Sequence, residues 1–249
     1  MGETIQSVER AAGILRLLAS GPRELGVAEL ARAMGLPKGT LHGILRTLVH
    51  VGFVEQDPTT GRYRLGGTLL HLGSSYLDVN ELRARSLNWA DALAARSRES
   101  VWIGTPHEGE VLVVHHVFRP DDSMQVLQVG SLLPAHATAL GKVLLAYDPY
   151  GEAGPGPLPA FTARTLVTGD DLAKELELVR GRGWAGEVEE LVEGEVSIAA
   201  PIRDRRGLAV GAIGVRGAVE RLADGGEPRK EVVSYVRDAA RAITRDLGR

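Results

Sequence analysis

With 249 residues, 44% of them hydrophobic and 24% charged, the chain has the size and balance of two ordinary globular domains. A net charge of −3 argues against a general nucleic-acid coat, and the absence of cysteine excludes disulfides, thiolate metal sites and cysteine nucleophiles. No run approaches ~18 apolar residues and the opening MGETIQSVERAAGILRLLAS carries Glu3, Glu9 and Arg10, so neither a membrane span nor a secretory leader is expected; a cytoplasmic location is.

A first helix is expected from about Ser7 to Ser20, its buried side marked by Ile5, Val8, Ala12, Leu15 and Leu18. Gly26 to Leu65 then reads as a winged helix-turn-helix. A short helix, Val27 to Met34, meets a tight break, GLPKG; a second helix, Thr40 to His50, follows, and Phe53 to Leu65 forms a hairpin around DPTTG. Leu41, Ile44, Leu45 and Leu48 make the core stripe of the second helix. Its other face carries Lys38, Gly39, Thr40, His42, Gly43 and Arg46, with Lys38, His42 and Arg46 on one ridge. Such a ridge can enter a major groove, where Arg and Lys donate to guanine edges or phosphates, and the glycines permit close approach. Thr59, Thr60 and Arg62 of the hairpin are candidates for the flanking backbone. Residues 1–80 hold 8 Lys/Arg against 7 Asp/Glu, so any DNA-binding surface depends on how the charges are distributed over faces.

Leu69, Leu70, Leu72, Tyr76 and Leu77 suggest a helix leaving the small domain and are candidates for interface or inter-domain packing. The expected organisation is a DNA-binding domain over 1–66, a linker helix over 67–80 and a second domain over 81–249 that opens with a helix from Glu81 to Arg98. Two strands flank a turn at His107 to Gly109, and MQVLQVG reads as a third. ATALGKVLLAY is a helix, Gly151 to Ala160 a Gly/Pro loop, DDLAKELELVRGRGW a helix ended by Gly181 and Gly183, and VSIAAPIRD with LAVGAIGVRG a hairpin. A last helix runs from about Pro228 to Leu247. Helices mixed with hairpins, without strict βαβ alternation, imply an α+β fold with an antiparallel sheet.

No nucleophile elbow and no dinucleotide fingerprint is present, and HATALGKV lacks the first glycine and the terminal Ser/Thr of a phosphate-binding loop. His115 and His116 are adjacent on a strand and point to opposite faces, so no metal site and no cofactor is expected. One of Glu187, Glu189, Glu190, Glu193 and Glu195 could turn inward to a ligand. Ala139 to Lys142 open a helix whose N–H groups and dipole suit an anion. Gly214 makes room, and Arg216 shares its side of the strand, with Glu187 as a candidate partner.

SVERAAGILRLLA, ELARAMGLPKGTLHGILRTLVHVGFVEQDPTTGRYRLG, LPAHATALGKVLLA and GEVSIAAPIRDRRGLAVGAIGVRG together resemble the IclR family of bacterial transcription regulators, over about Gln6 to Leu247. The resemblance implies an N-terminal winged helix, a linker helix and a GAF-like effector domain, assembled as a homodimer or homotetramer on double-stranded, palindromic operator DNA. Carried over by motif position, the effector residues are Leu133, Ala139, Leu140, Glu187, Ser197, Gly214 and Arg216. The family often has Cys at the place of Ser197, and two serines where Gly214 and Arg216 stand. HHVFRPDDS and AVERL resemble, within the family, the branch that governs glycerol use in actinomycetes. Without the serine pair a phosphorylated polyol, specifically glycerol 3-phosphate, suits the site better than a short keto acid. The alternative is an enzyme acting on a small anionic metabolite, with the N-terminal part a dimerisation module.

Overall fold

The computed structural model describes residues 4–20, 22, 24–78, 81–121, 123–148 and 158–248, with the backbone alone for 74–78. The chain divides into two compact units, Met1–Val79 and Asn80–Arg249.

The first unit comprises α1 (Gln6–Ser20), α2 (Val27–Met34), α3 (Lys38–His50), β1 (Val54–Gln56), β2 (Tyr63–Leu65) and α4 (Gly67–Asp78). At the start of α2 the Glu29 carboxylate accepts the Gly26 N–H at 2.6 Å, satisfying one of the helix's open donors. The helix stops at Gly35, whose φ of +62° lets Gly35 N–H reach Arg32 O while Leu36 N–H reaches Ala31 O, a Schellman closure. Pro37 then sets α3 off in a new direction, one residue pair earlier than expected from the apolar stripe. Leu41, Leu45 and Leu48 of α3 are buried with Ile14, Leu18, Leu25, Leu30, Val54 and Tyr63 in one core. The antiparallel β1–β2 wing turns where Asp57 Oδ1 accepts the N–H groups of Thr59 and Thr60, each at 2.7 Å.

The second unit comprises α5 (Glu81–Ser97), β3 (Ser100–His107), β4 (Glu110–Val117), β5 (Leu132–Pro134), α6 (Ala139–Tyr147), α7 (Gly169–Arg182), β6 (Ala185–Val188), β7 (Glu195–Arg203), β8 (Ala209–Ala218), α8 (Val219–Leu222), β9 (Ala223–Asp224), β10 (Glu227–Pro228) and α9 (Lys230–Leu247). Its six-stranded sheet is antiparallel throughout, in the order β5-β4-β3-β8-β7-β6. Helices α5 and α9 pack together and against the sheet, and α6 and α7 form a second helical pair with α6 on β7 and β8. Alternation builds this sandwich: Val196, Ile198, Ala200 and Ile202 are buried on one face of β7, while Ala199 on the other joins the core of Val143, Leu144, Leu172, Leu176 and Val179. The β3–β4 turn has φ of +47° at Glu108 and +83° at Gly109, the paired positive values of a type I′ hairpin.

Four expectations are corrected. Ile5 and Val8, expected on the buried side of α1, are exposed, and Ile14 with Leu18 forms that side instead. Met124 to Gly130, expected as a strand, is irregular. Its hydrogen bonds form no ladder: the Gln125 side chain bonds both backbone groups of Arg119, at 2.7 and 2.9 Å, Gln128 N–H donates to His116 Nδ1, and Gly130 N–H donates to Val113 O at 2.8 Å. The edge strand lies further on, at Leu132–Pro134. The last helix starts at Lys230 rather than Pro228, because Pro228 pairs with Ala223 in the small β9–β10 ribbon. Gly181 lies inside α7, and Gly183 alone, at φ +77°, ends it. Of the expected Gly/Pro loop, residues 151–157 lie outside the described residues.

Candidate functional site

The two faces of α3 separate apolar packing from exposed polarity. Lys38, Gly39, Thr40, His42, Gly43 and Arg46 are all exposed. With Val49, Gln56 and Tyr63, four of them (Gly39, His42, Gly43 and Arg46) line an open groove of about 510 Å³ between α3 and the wing. A methyl added at Gly39 or Gly43 would meet nothing within 4 Å, so the helix presents a low surface along this ridge. Among the described residues the side chains of Lys38, His42 and Arg46 make no intramolecular hydrogen bond or ion pair. The wing arginines differ. Arg62 donates to the Glu29 carboxylate at 2.7 Å and to Glu24 O at 3.0 Å, tying the wing to α2. Arg64, which the sequence did not single out, pairs with Glu55 at 3.1 Å and Glu24 at 3.4 Å. Thr59 and Thr60 lie exposed at the wing tip. On α4, Leu70 is 78% and Leu72 51% exposed, Leu69 is half-buried, and the side chains of Tyr76 and Leu77 lie outside the described residues.

In the second unit, sheet register assembles a row across four strands. Glu187 on β6 stands opposite Ser197 on β7, Ser197 opposite Arg216 on β8, and Arg216 opposite Ser100 on β3. The next row on the same face is Ala185, Ala199, Gly214 and Trp102. The first turn of α6 lies over both rows. Leu133, Ala139, Leu140, Glu187, Ser197, Gly214 and Arg216 line one cavity, together with Trp102, Thr138 and Leu191. It holds about 20 Å³ of water-accessible space, little more than the ~10–15 Å³ that one water needs.

Hydrogen bonding inside the cavity departs from the expectation of open helix donors. Ala139 N–H donates to Ser197 Oγ at 3.3 Å, and Gly141 N–H to the Thr138 cap at 3.2 Å. Ser197 in turn donates to Glu187 at 2.9 Å, and the Glu190 N–H to the other Glu187 oxygen at 3.0 Å. Glu187 is nonetheless 2% exposed, and burial holds its carboxyl above the ordinary range in spite of these two donors. Arg216 pairs with Glu195, not with Glu187, and its guanidinium lies 5.1 Å from the Trp102 ring centroid. It also borders a second, outer cleft of about 540 Å³ lined by Arg119 and Arg221, which pair with Asp121 and Glu99. Gly214 is required by the sheet rather than by the cavity: a Cβ there would come within 2.5 Å of Ile198 O.

Sequence reasoning named Glu190 among the glutamates that could turn inward but missed its pairing with Lys142 beside the cavity. Lys142, one turn into α6, is 1% exposed and pairs with Glu190 at 2.5 Å. Burial raises the Glu190 carboxyl, opposed by Lys142. The loop that carries Glu190 is clamped in turn, since Thr162 and Thr165 hydroxyls donate to the carbonyls of Glu189 and Glu190 at 2.6 Å. A lysine inside an apolar helix and a distant glutamate carry no local signal of pairing.

His116 packs edge-on against Trp102 and Phe118, and burial lowers its pKa and that of His115. Residues 7–58 match the IclR helix-turn-helix domain, and residues 74–245 match the family described as bacterial transcriptional regulator IclR C-terminal. The chain belongs to the IclR family. This IclR-family chain is 58% identical, over 100% of its own length and 98% of the relative, to the glycerol operon regulatory protein of Streptomyces coelicolor. It is 55% identical, over the same shares, to the glycerol operon regulatory protein of Streptomyces griseus. A crystal structure of an IclR transcriptional regulator from Alicyclobacillus acidocaldarius superposes with a TM-score of 0.83 at 25% identity, covering 99% of this chain and 98% of that one. The protein is a transcription regulator with a helix-turn-helix DNA-binding domain and a C-terminal domain of the class that binds small effectors. The enzyme alternative finds no support in these relatives, which are named as regulators.

Proposed function

We propose that this regulator represses a glycerol-utilisation operon from the cytoplasm, as a homodimer or homotetramer on a palindromic operator, and that glycerol 3-phosphate loosens its grip. The observation that carries the DNA-binding reading is the contrast between the partnerless row Lys38, His42 and Arg46 on α3 and the internally committed Arg62 and Arg64 on the wing. Cations without intramolecular partners on an exposed helix are available to base edges and phosphates. In this reading Lys38, Gly39, Thr40, His42, Gly43 and Arg46 face the major groove, Thr59 and Thr60 reach flanking phosphates, and Arg62 positions the wing rather than touching DNA. Residues 67–80 act as the linker helix and 81–249 as the effector domain.

The names of the Streptomyces relatives support glycerol metabolism as the context. The geometry supports a split binding mode. The polyol end would meet Ser197 and Glu187 in the cavity, and the phosphate would lie at its mouth on Arg216, displacing Glu195 and drawing on Arg119 and Arg221 of the outer cleft. A phosphate inside the cavity itself would face the buried Glu187 carboxylate. Because the cavity admits little more than one water, the ligand has to open it, and that opening is the conformational difference a regulator needs.

Calorimetry with glycerol 3-phosphate and with glycerol, followed by gel shift on the upstream DNA, tests the reading. Glycerol 3-phosphate should bind and weaken operator binding by roughly 5- to 150-fold, the range of typical couplings. Arg216→Ala should remove this response and leave DNA affinity nearly intact. No binding at millimolar ligand, or a normal response from Arg216→Ala, would falsify the effector assignment.

A further inference from the structure

On the side of the second unit where α9 meets β7, four arginines line a groove of about 390 Å³, and among the described residues no Asp or Glu lines it. Arg237, Arg241 and Arg245 stand at i, i+4 and i+8 of α9, so they form one ridge roughly 12 Å long at a rise of ~1.5 Å per residue. Arg203 of β7 faces them, its guanidinium 4.1 Å from the ring centroid of Tyr147. The floor is Ala200, Pro201 and Gly183.

Among the described residues Arg237, Arg241 and Arg245 have no carboxylate partner, whereas the arginines around them do have partners. Arg96 pairs with Asp238, Arg182 with Glu175, and Arg180 donates to Ala146 O. The acidic residues of α9 are committed elsewhere: Glu231 accepts from the Tyr235 hydroxyl, Asp238 pairs with Arg96, and Asp246 accepts the Trp89 indole N–H at 2.8 Å. Like charges at i and i+4 destabilise a helix, so this ridge works against folding unless something neutralises it. Thr244 accepts the Arg203 N–H at 3.0 Å, which leaves its own hydrogen for an acceptor in the groove.

We propose that this groove is a second ligand site, distinct from the cavity beside α6, for a small molecule carrying two or more phosphate groups. A guanidinium recognises a phosphate through paired N–H groups and stays charged at every physiological pH. A single phosphate spans one or two of these forks, while a ridge of this length needs a chain of them. The groove is bounded on one side by β7 and by the Tyr147–Arg203 stack, and its volume of about 390 Å³ is that of a small-molecule site rather than of a duplex track.

The test is calorimetry of the full chain with inorganic triphosphate, and with orthophosphate as the single-phosphate comparison at matched ionic strength. One triphosphate per chain should bind at least tenfold tighter than orthophosphate. Arg237→Ala and Arg241→Ala should each weaken it about tenfold, the equivalent of ~1.4 kcal/mol for one charged contact. Arg206→Ala, which removes an exposed arginine outside the groove, should change nothing. Circular-dichroism melting verifies that the variants fold; Arg241 is exposed, so its loss leaves the core intact. Equal binding of the two anions, or unchanged affinity in both groove variants, overturns the proposal. So does a parallel loss of affinity for non-operator duplex in those variants, which would make the groove a nucleic-acid surface.

Discussion

At the scale of single residues, whether a charged side chain has an intramolecular partner decides its use. Arg46→Ala and Lys38→Ala should each weaken operator binding. A lost base contact costs ~1–3 kcal/mol with relaxed specificity, whereas a lost phosphate contact lowers the salt slope by about one unit. Arg62→Ala should behave otherwise, lowering the thermal stability of the winged unit with the salt slope unchanged, since its guanidinium is bonded to Glu29 and Glu24. Gel shifts across a salt series separate the two outcomes. Glu187 yields a prediction in pH. Its folded pKa is raised above the ordinary 4.5 by burial, so the folded state holds its proton more tightly than the unfolded one. The associated stability is fully present below pH 4.5 and is lost as pH rises through the raised value. His115 and His116 act in the opposite sense, because their lowered values cost stability as pH falls below the ordinary 6.5. The difference between wild type and Glu187→Gln isolates the carboxyl. In melting curves from pH 4 to 8, Glu187→Gln should gain on wild type as pH rises, and a constant difference would contradict the assignment.

At the scale of elements, glycines mark where strands and helices approach one another or a partner. Gly43 on α3 faces open space, so Gly43→Ala should strengthen the helix by up to ~1 kcal/mol. If the ridge enters a groove, the same methyl should weaken operator binding; a variant more stable and equally tight on DNA would place the contact elsewhere. Gly214 and Gly141 are different. A Cβ at Gly214 would press on Ile198 O and on Ala199, and one at Gly141 on the backbone of Ala135, where α6 sits directly on the preceding segment. Gly214→Ser therefore should not simply restore a polar group to the cavity wall. It should destabilise by about 1–3 kcal/mol, the cost of forcing atoms into a packed interior, as read by chemical denaturation.

At the scale of the whole molecule, one recognition helix reads only a few base pairs, so a palindromic operator calls for at least two copies of the chain. Light scattering at micromolar concentration should find no monomer, and substituting the exposed Leu70 and Leu72 with Ser should lower the association state if α4 contributes to the interface. A monomer that keeps tight operator binding would contradict the assembly. Because coupling between effector and DNA is reciprocal, operator DNA should weaken glycerol 3-phosphate binding by the same factor that the ligand weakens DNA binding.

What the sequence determined by itself is whatever local periodicity and punctuation encode. The apolar stripe Leu41, Ile44, Leu45, Leu48, the Gly35–Pro37 break and the DPTTG turn specify helix, turn, helix and wing, because each signal lies within a few residues of what it controls. Alternation along residues 209–216 likewise put Gly214 and Arg216 on one side of a strand, while the other candidate cavity residues came from the family resemblance. Which charges cancel depends on packing between distant segments. Arg216 takes Glu195 instead of Glu187, Lys142 finds Glu190 48 positions away, and Ser197 and Thr138 each take one of the helix donors that an anion was expected to meet. The expected strand MQVLQVG failed for a related reason: its Val and Leu residues suit a strand, but Gln125 and Gln128 found partners on the Arg119 backbone and the His116 ring. Periodicity is a property of one segment. Charge pairing and cavity size depend on register and on long-range packing, which bring together groups that the chain keeps far apart.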